Sequence, residues 1–581
     1  MNGEFFAQVA LSAIMPFRAV PCPVGFEIIT DDPWLRLLVK SGTPYQLTEH
    51  GIIVGTLYSR ESMAPATTLS ADAWLSITES GGQNLIDLYW GNYVAFLRKL
   101  APNGRMTTSV LRAPFGTLPC YWQRVGDKLS LASSAALIAA SGLLRMTIDR
   151  LALAQHITQP EVATAQTCLS DLQSLEGGTR LTSTLPGPEI NQLWSPWRFT
   201  RDHPHIRNHT EAASLLHQTL IQSVSALVAE HTSVILLLSG GFDSSALAAC
   251  LRHANREIHA LNLVTESAQG DERHFARLAA EATGASLIEA YRDFGLIDLK
   301  ISHAARAARP HARAFTQESD HQAVAWAQKA GASAVVHGGG GDNLFFNYMS
   351  LAAMVEVLRK CGPGARFLRA SAAFADLTSV GLGQVLLRTL DRAFRRNNQL
   401  RFEIRDTLLS PDIGAAVALR ARHPWHTPPK GIPTGKAAHV ALLASAQTAT
   451  EQGYRSCSGL PKFSPFLSQP IIETVLGIPI WCWFSPGLNR AAARMAFQDD
   501  LPPPIIQRRT KGTPGAFVNE VFEQHRSVVR EMLLEGCLAG LGLLNLDALR
   551  RIIDDTAPAG DLQFARIMEL VDAEAWARSW D

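Results

Sequence analysis

The sequence predicts an α/β protein built in two parts, and three observations carry that expectation. Residues 1 to about 200 break into short β-like runs separated by turn signals. From about 210 onward, apolar strand-like runs alternate with helical periodicity, which is the pattern of a parallel, doubly wound sheet. The 581 residues also exceed what one hydrophobic core holds, about 250–300 residues, so two or more domains are expected.

Within the first part, Gly51-Ile52-Ile53-Val54-Gly55-Thr56-Leu57 and Tyr93-Val94-Ala95-Phe96-Leu97 read as strands, being β-branched or aromatic and bounded by turn residues. The stretch Ser195 to Thr210, rich in polar, Pro and His residues, reads as a linker, giving expected domains 1–200 and 208–581. Beyond it the periodicity predicts helix over 211–230, strand over 233–238, helix over 245–254, strand over 258–264 and helix over 271–283. Residues 351–450 read as mostly helical, and the basic run Arg392–Arg405 reads as a solvated helix face.

Composition narrows the function. Apolar residues at 47% and charged residues at 18% are those of an ordinary globular chain. The net charge of +1 gives no electrostatic case for nucleic acid or an anionic membrane. With no uninterrupted apolar run of about 18 residues, no membrane insertion is expected. Met1-Asn2-Gly3-Glu4-Phe5-Phe6 lacks the basic start of a secretory signal. The eight cysteines show no C-x-x-C spacing, so neither a cysteine zinc site nor a disulfide framework follows, and a cytoplasmic location fits.

The segment that carries chemistry is Ile235-Leu236-Leu237-Leu238-Ser239-Gly240-Gly241-Phe242-Asp243-Ser244-Ser245. An apolar strand ends in a glycine turn that opens a helix, and such a junction binds anions through backbone N–H groups and the helix dipole. Hydroxyls of Ser239, Ser244 and Ser245 add donors, and Asp243 can hold a metal ion against phosphates. The pattern is neither G-x-x-x-x-G-K-[ST] nor G-x-G-x-x-G. It resembles the pyrophosphate loop (PP-loop, S-G-G-x-D-S-S) of ATP pyrophosphatases, which activate a carboxylate as an acyl-adenylate. A second strand-to-glycine junction, Ala334-Val335-Val336-His337-Gly338-Gly339-Gly340-Gly341-Asp342-Asn343-Leu344-Phe345, resembles the S-G-E-G-A-D-E-L-F segment of asparagine synthetases, with Asp342 in register. Asp271-Glu272-Arg273 opens the helix after the second strand, where acidic residues complement the dipole.

The likeness extends along the chain. Leu111-Arg112-Ala113-Pro114-Phe115-Gly116-Thr117-Leu118-Pro119, Leu131-Ala132-Ser133-Ser134-Ala135-Ala136-Leu137 and Leu175-Glu176-Gly177-Gly178 resemble the glutaminase half of class B asparagine synthetases. The resemblance implies a degenerate N-terminal-nucleophile (Ntn) glutaminase-like αββα sandwich followed by a PP-loop synthetase sheet of adenine nucleotide α-hydrolase-like type with added helices. A glutaminase of this kind needs a cysteine directly after the initiator methionine, whose α-amine acts as base for its thiol. Here that position is Asn2, so glutamine hydrolysis is not expected. Further on, Gly459-Leu460-Pro461-Lys462-Phe463-Ser464-Pro465-Phe466-Leu467 resembles L-E-x-R-x-P-F-L-D, with its charges replaced at Pro461, Phe463 and Ser468. Asn489-Arg490-Ala491-Ala492-Ala493-Arg494 and Arg508-Arg509-Thr510-Lys511-Gly512 resemble the family's L-R-x-A and R-x-K-x-G stretches.

The glutamate of asparagine synthetases, and the tyrosine expected in β-lactam synthetases, is replaced by Gly339, which leaves room for a bulky acyl substrate. Together these departures resemble the lasso peptide cyclases, the macrolactam synthetases of the asparagine synthetase B and β-lactam synthetase-like superfamily. The resemblance implies ATP and Mg²⁺, and an ATP site of Leu237, Ser239, Gly240, Gly241, Asp243, Ser244, Ser245, Leu263, Gly338 and Gly339. It implies Asp243 and Asp342 as metal ligands, and Lys511 beside them as the cation that stabilises the adenylate. It also implies a precursor peptide as substrate, with a leader-peptide protease and a leader-recognition protein as partners, no nucleic acid, and a large water-excluding cavity. Three other readings stay open at this point: a β-lactam synthetase-like enzyme, an ammonia-dependent asparagine synthetase, and a non-catalytic scaffold of a peptide-processing complex.

Overall fold

The structure, a computed structural model, describes the chain apart from residues 1–2, 12–16, 18–19, 101–105, 161, 185, 266–269, 395–404, 419–422, 456–458, 510–514 and 556–560; at 418, 447–455 and 561–563 it describes the backbone alone. Asn2, Lys511 and the middle of the basic run 392–405 therefore lie outside the described residues.

The described part of the first half forms two six-stranded antiparallel sheets. Their facing sides meet in a core of Phe5, Ala7, Val9 and Leu37 from one sheet against Ile52, Val94, Phe96 and Val110 from the other. Phe5 and Phe96 touch edge to face across this layer, ring centroids 5.6 Å apart. Because side chains alternate along a strand, Phe6 points outward, where it packs with helices Ala135–Ala140 and Arg150–Thr158 through Ile138 and Leu153. Helices Ala71–Glu79 and Gln83–Leu88 cover the outer face of the second sheet, placing Trp74, Ile77, Leu85 and Ile86 on Ile53, Tyr93 and Ala95. The layer order is thus α-β-β-α, and strand Phe5–Ala10 is buried throughout because both its faces are covered.

The second half is organised by a five-stranded parallel sheet, in the order Ser286–Tyr291, Glu257–Val264, Ser233–Leu237, Ala334–His337, Lys462–Phe463. Alternation again sets the faces. Ile235, Leu261 and Val335 pack on Ala323 and Ala327 of helix Gln317–Ala330. Val234, Leu236 and Val336 belong to the cluster on the other face, with Leu216 and Leu220 of helix His209–Leu227 and Ala246 and Leu247 of helix Phe242–His253. Burial on both faces is what makes these strands read as continuous apolar runs.

The chain builds outward from Ser233–Leu237 to one side, then crosses over to Ala334–His337 on the other. The crevice at the carboxyl ends of these two neighbouring strands is the topological switch point, where ligands of open α/β sheets bind. Both glycine turns sit there. The two halves are joined across a buried carboxylate: Arg60 makes two hydrogen bonds to Glu473, at 2.8 and 2.9 Å, and the Trp194 indole N–H donates to it at 2.7 Å. No single helix among the described residues is long and apolar enough to cross a membrane.

Candidate active site

At the first turn, Gly240 takes a left-handed φ of +67°, and a Cβ there would lie 2.7 Å from the Ala276 nitrogen. Only glycine lets the loop pass so close beneath helix Arg273–Thr283. Arg508 fixes it from outside, donating to the Gly240 carbonyl at 3.0 Å and to Glu272 at 2.6 Å, with its guanidinium 3.9 Å from the Phe275 ring centroid. Asp271 caps its own turn, accepting the Arg273 N–H at 3.0 Å, as a dipole complement should. Glu272 does not: it serves the loop through Arg508. The sequence reading missed this because the partner lies far along the chain.

Helix Phe242–His253 starts without any side-chain cap, so its first N–H groups face the mouth of the turn. Ser239, exposed, and Ser244 share a hydroxyl contact of 3.2 Å at that mouth. Ser244 and the fully buried Ser245 both donate their hydroxyls to the Gly241 carbonyl, at 3.1 and 3.0 Å. Leu237 ends the central strand and Leu263 stands next to last in its neighbour, both half-buried at the carboxyl edge.

The second turn backs directly onto the first. A Cβ on Gly338 would lie 3.2 Å from the Ser244 nitrogen, and one on Gly341 would lie 2.6 Å from Cγ of Asp243. Gly339 does not provide the space expected from the sequence. A Cβ there would meet the His337 ring at 2.7 Å, and that ring accepts the Gly339 N–H on Nδ1 at 3.1 Å. Burial, reinforced by Lys462, pushes His337 down to about 3, so it stays a neutral acceptor. Ser464 closes the turn from the other side, donating its hydroxyl to the Gly339 carbonyl at 2.8 Å.

The two glycine turns bring Asp243 and Asp342 to a common cation. Arg490 NH1 lies 3.3 Å from Oδ1 of Asp243, and the same guanidinium bonds Oδ1 of Asp342. Asn347 also donates to Asp342 Oδ1 at 2.9 Å and is itself held by Asn489 at 2.7 Å. Asp243 is buried, whereas the Asp342 side chain is half exposed, which leaves this side of the pair open to a ligand. Arg490 was legible only as a letter in a motif; its left-handed φ of +56° and its bridging role needed the fold. Arg494 lies behind it, bonded to the Asn489 and Ile506 carbonyls, and burial, followed by repulsion from Arg490, holds its guanidinium down to about 10.

The donor set fits Mg²⁺. Both residues offer hard carboxylate oxygens facing one point of positive charge, and Oδ1 of Asp243 is buried without a hydrogen-bond donor.

A cleft of about 200 Å³, partly open to solvent, runs between the halves of the molecule, from Glu230 and His231 ahead of the central strand to Ser464. Tyr45, Tyr58, Trp90 and Phe115 line it from the first half, and Phe463 and Ser464 from the second. Ser464 is the residue that bonds Gly339, so cleft and glycine turn adjoin.

The family model described as asparagine synthase matches residues 215–578. A search of the curated proteins gave no match. Among solved structures, the chain is similar to the allosteric regulatory enzyme of purine biosynthesis, at 10% identity over 50% of this chain and 74% of that one, with a TM-score of 0.20. It is also similar to the glutamine phosphoribosylpyrophosphate amidotransferase of B. subtilis complexed with ADP and GMP, at 12% identity over 58% and 75%, with a TM-score of 0.19. Likeness at that level carries no argument about this chain.

Proposed function

The chain belongs to the asparagine synthase family and is an ATP-dependent, amide-forming ligase; we propose that it closes a macrolactam ring on a precursor peptide, as lasso peptide cyclases do. The observation that carries the proposal is the aromatic-lined cleft between the halves, which adjoins the second glycine turn through Ser464 and offers an extended peptide a surface that free aspartate does not need. The space for a bulky acyl group comes from this cleft and not from Gly339.

In this reading the uncapped N-terminus of helix Phe242–His253, with Ser239 and Ser244, receives the phosphates of ATP. Leu237 and Leu263 border the base. Asp243 and Asp342 would hold Mg²⁺, which when bound neutralises phosphate charge. An oxygen of the peptide's Asp or Glu side chain attacks the α-phosphorus, the bond to the β-phosphate bridge breaks, and pyrophosphate leaves. The peptide's α-amine, freed by a leader-peptide protease, then attacks the activated carbonyl; the C–N bond forms, AMP leaves and the amine loses a proton. Arg490 at the carboxylate pair supplies fixed positive charge against the anionic transition states, and Lys511 would add a second cation. Amine and carbonyl share one chain, so the protein's task after activation is positioning, and well-oriented intramolecular attack supplies about 7–11 kcal/mol.

The test is ATP–pyrophosphate exchange with and without the precursor peptide and its protease, with mass analysis of the peptide. Exchange that depends on the peptide, AMP as the nucleotide product, and a peptide lighter by one water support the proposal. Exchange with free aspartate and ammonium instead, or ADP as product, overturns it.

A further inference from the structure

At the far end of helix Phe242–His253 a second cluster has no part in the chemistry above. His217 of helix His209–Leu227 and His253, the last residue of Phe242–His253, both aim Nε2 at Asp500, in the turn after helix Ala491–Ala496. The His217 nitrogen lies 2.9 Å from Oδ2 and the His253 nitrogen 2.7 Å from Oδ1. One ligand atom from each of the three residues lies within 4.8 Å of the others. The carboxylate is 8% exposed and the two imidazoles 30% and 34%, so the carboxylate is fixed while the nitrogens stay within reach of solvent.

We propose that His217, His253 and Asp500 form a transition-metal site suited to Zn²⁺, independent of the Mg²⁺·ATP centre. Two imidazoles and one carboxylate are a zinc donor set, and a water completes four-coordination at the exposed side. Zn–N bonds of about 2.0–2.1 Å require the nitrogens and the carboxylate oxygen to stand slightly farther apart than they do now, within the 4.8 Å spread already present. Arg252 donates to Asp500 Oδ1 at 2.8 Å, the outer hydrogen bond that orients a ligating carboxylate, leaving Oδ2 for the metal. His217 is wedged against Phe497 and edge-on to His253, at ring centroid distances of 5.2 and 5.6 Å, so its orientation is set before binding. The carboxyl end of a helix adds partial negative charge beneath His253. Mg²⁺ prefers all-oxygen, water-rich sites and is a poor competitor here. The clamp would tie the back of helix Phe242–His253, whose first turn holds Asp243, to the segment that begins at Arg490, bracing the frame of the carboxylate pair.

The full-length protein, stripped with a chelator and kept in excess Mg²⁺, is titrated with Zn²⁺ and, separately, Co²⁺. The expected result is one saturable equivalent, mutual competition, the visible absorption of four-coordinate Co²⁺, and a melting temperature raised by Zn²⁺. His217→Ala and His253→Ala each weaken Zn²⁺ binding at least tenfold, whereas Asp243→Asn leaves the stoichiometry unchanged. His253 lies at a helix end with its ring partly in solvent, so its variant keeps the test decisive should His217→Ala fail to fold. Absence of saturable Zn²⁺ binding in Mg²⁺, wild-type binding by His253→Ala, or loss of the equivalent in Asp243→Asn overturns the proposal.

Discussion

Gly341→Ala tests the geometry of the carboxylate pair with a single methyl group. Gly341 opens the short helix Gly341–Leu344 and lies outside the left-handed backbone region, so the backbone itself accepts alanine. The side chain does not fit. Its Cβ would lie 2.6 Å from Cγ, 2.8 Å from Cβ and 2.9 Å from Oδ2 of Asp243. Ordinary contact begins at 3.4 Å against the 2.6 Å found, so in a close-packed site Asp243 must retreat by about 0.8 Å. Helix Phe242–His253 is buried behind it, so the strain falls on the Asp243 side chain and its 3.3 Å contact with Arg490. A displacement near 1 Å in a reacting constellation lowers the rate about 10²-fold, equivalent to about 2.7 kcal/mol of barrier. Overpacking costs about 1–3 kcal/mol of stability, partly offset by about 0.4–1 kcal/mol from replacing glycine in the unfolded chain. The protein should therefore fold and fail to adenylate. The assay is peptide-dependent ATP–pyrophosphate exchange beside a urea titration, with Gly381→Ala, whose added Cβ meets nothing within 4 Å, as the silent control. Exchange within twofold of wild type in Gly341→Ala would refute the reasoning, as would loss of exchange matched by unfolding.

Three further predictions rest on other features of the site and the core. Arg490→Met strands the buried Asp243, at about 3–5 kcal/mol for a broken buried pair, while the half-exposed Asp342 arm contributes about 1 kcal/mol at most. Double-mutant cycles with Asp243→Asn and Asp342→Asn, read as urea midpoints, should therefore give the larger coupling to Asp243, and equal couplings would count against it. Burial, followed by Arg309 for His156 and Lys436 for His439, pushes these two rings from the usual 6.5 down to about 3. Below pH 6.5 the unfolded chain takes up protons that the folded one refuses, so stability falls as pH falls; each ring removes about 2 kcal/mol by pH 5. A urea midpoint unchanged between pH 7 and 5 contradicts this. Thr56→Trp, on the cleft wall, should raise KM for the peptide at least tenfold and leave that for ATP unchanged; an unaltered peptide KM removes the cleft from the substrate's path.

The parallel sheet was legible because burial on two faces writes itself as uninterrupted apolar runs. The strand expected over 258–264 is Glu257–Val264, and the helix expected over 271–283 is Arg273–Thr283. The helix expected from 245 begins at Phe242, since Gly241 already serves as its N-cap with an ordinary φ of −75°, a role that glycine-rich spelling disguises as loop. The edge strand Lys462–Phe463 is two residues long, too short for any periodicity, and exists only through its pairing with Val335 and Val336. The same division holds at the site. Asp243 and Asp342 follow glycine turns whose local spelling announces them, whereas Arg490 and the Glu272–Arg508 pair act through partners far along the chain.

The first half is bound to the second through two shared cores. Its outer sheet face is not closed by its own helices alone: Ile53, Trp74, Tyr93 and Phe115 share one cluster with Leu216, Ala246 and Phe466 of the second half. Phe6, Tyr121 and Leu153 likewise share one with Phe522, Met532 and Trp576 near the carboxyl terminus. Removing residues 1–200 would expose both surfaces and leave Glu473, whose side chain is 8% exposed, without Arg60 and Trp194. A buried carboxylate stripped of its partners is strongly destabilising, and among the described residues of the second half Gln469 alone donates to it, at 2.9 Å. The first half is thus held by packing and charge, and the same packing sets Tyr45, Tyr58 and Trp90 opposite Phe463.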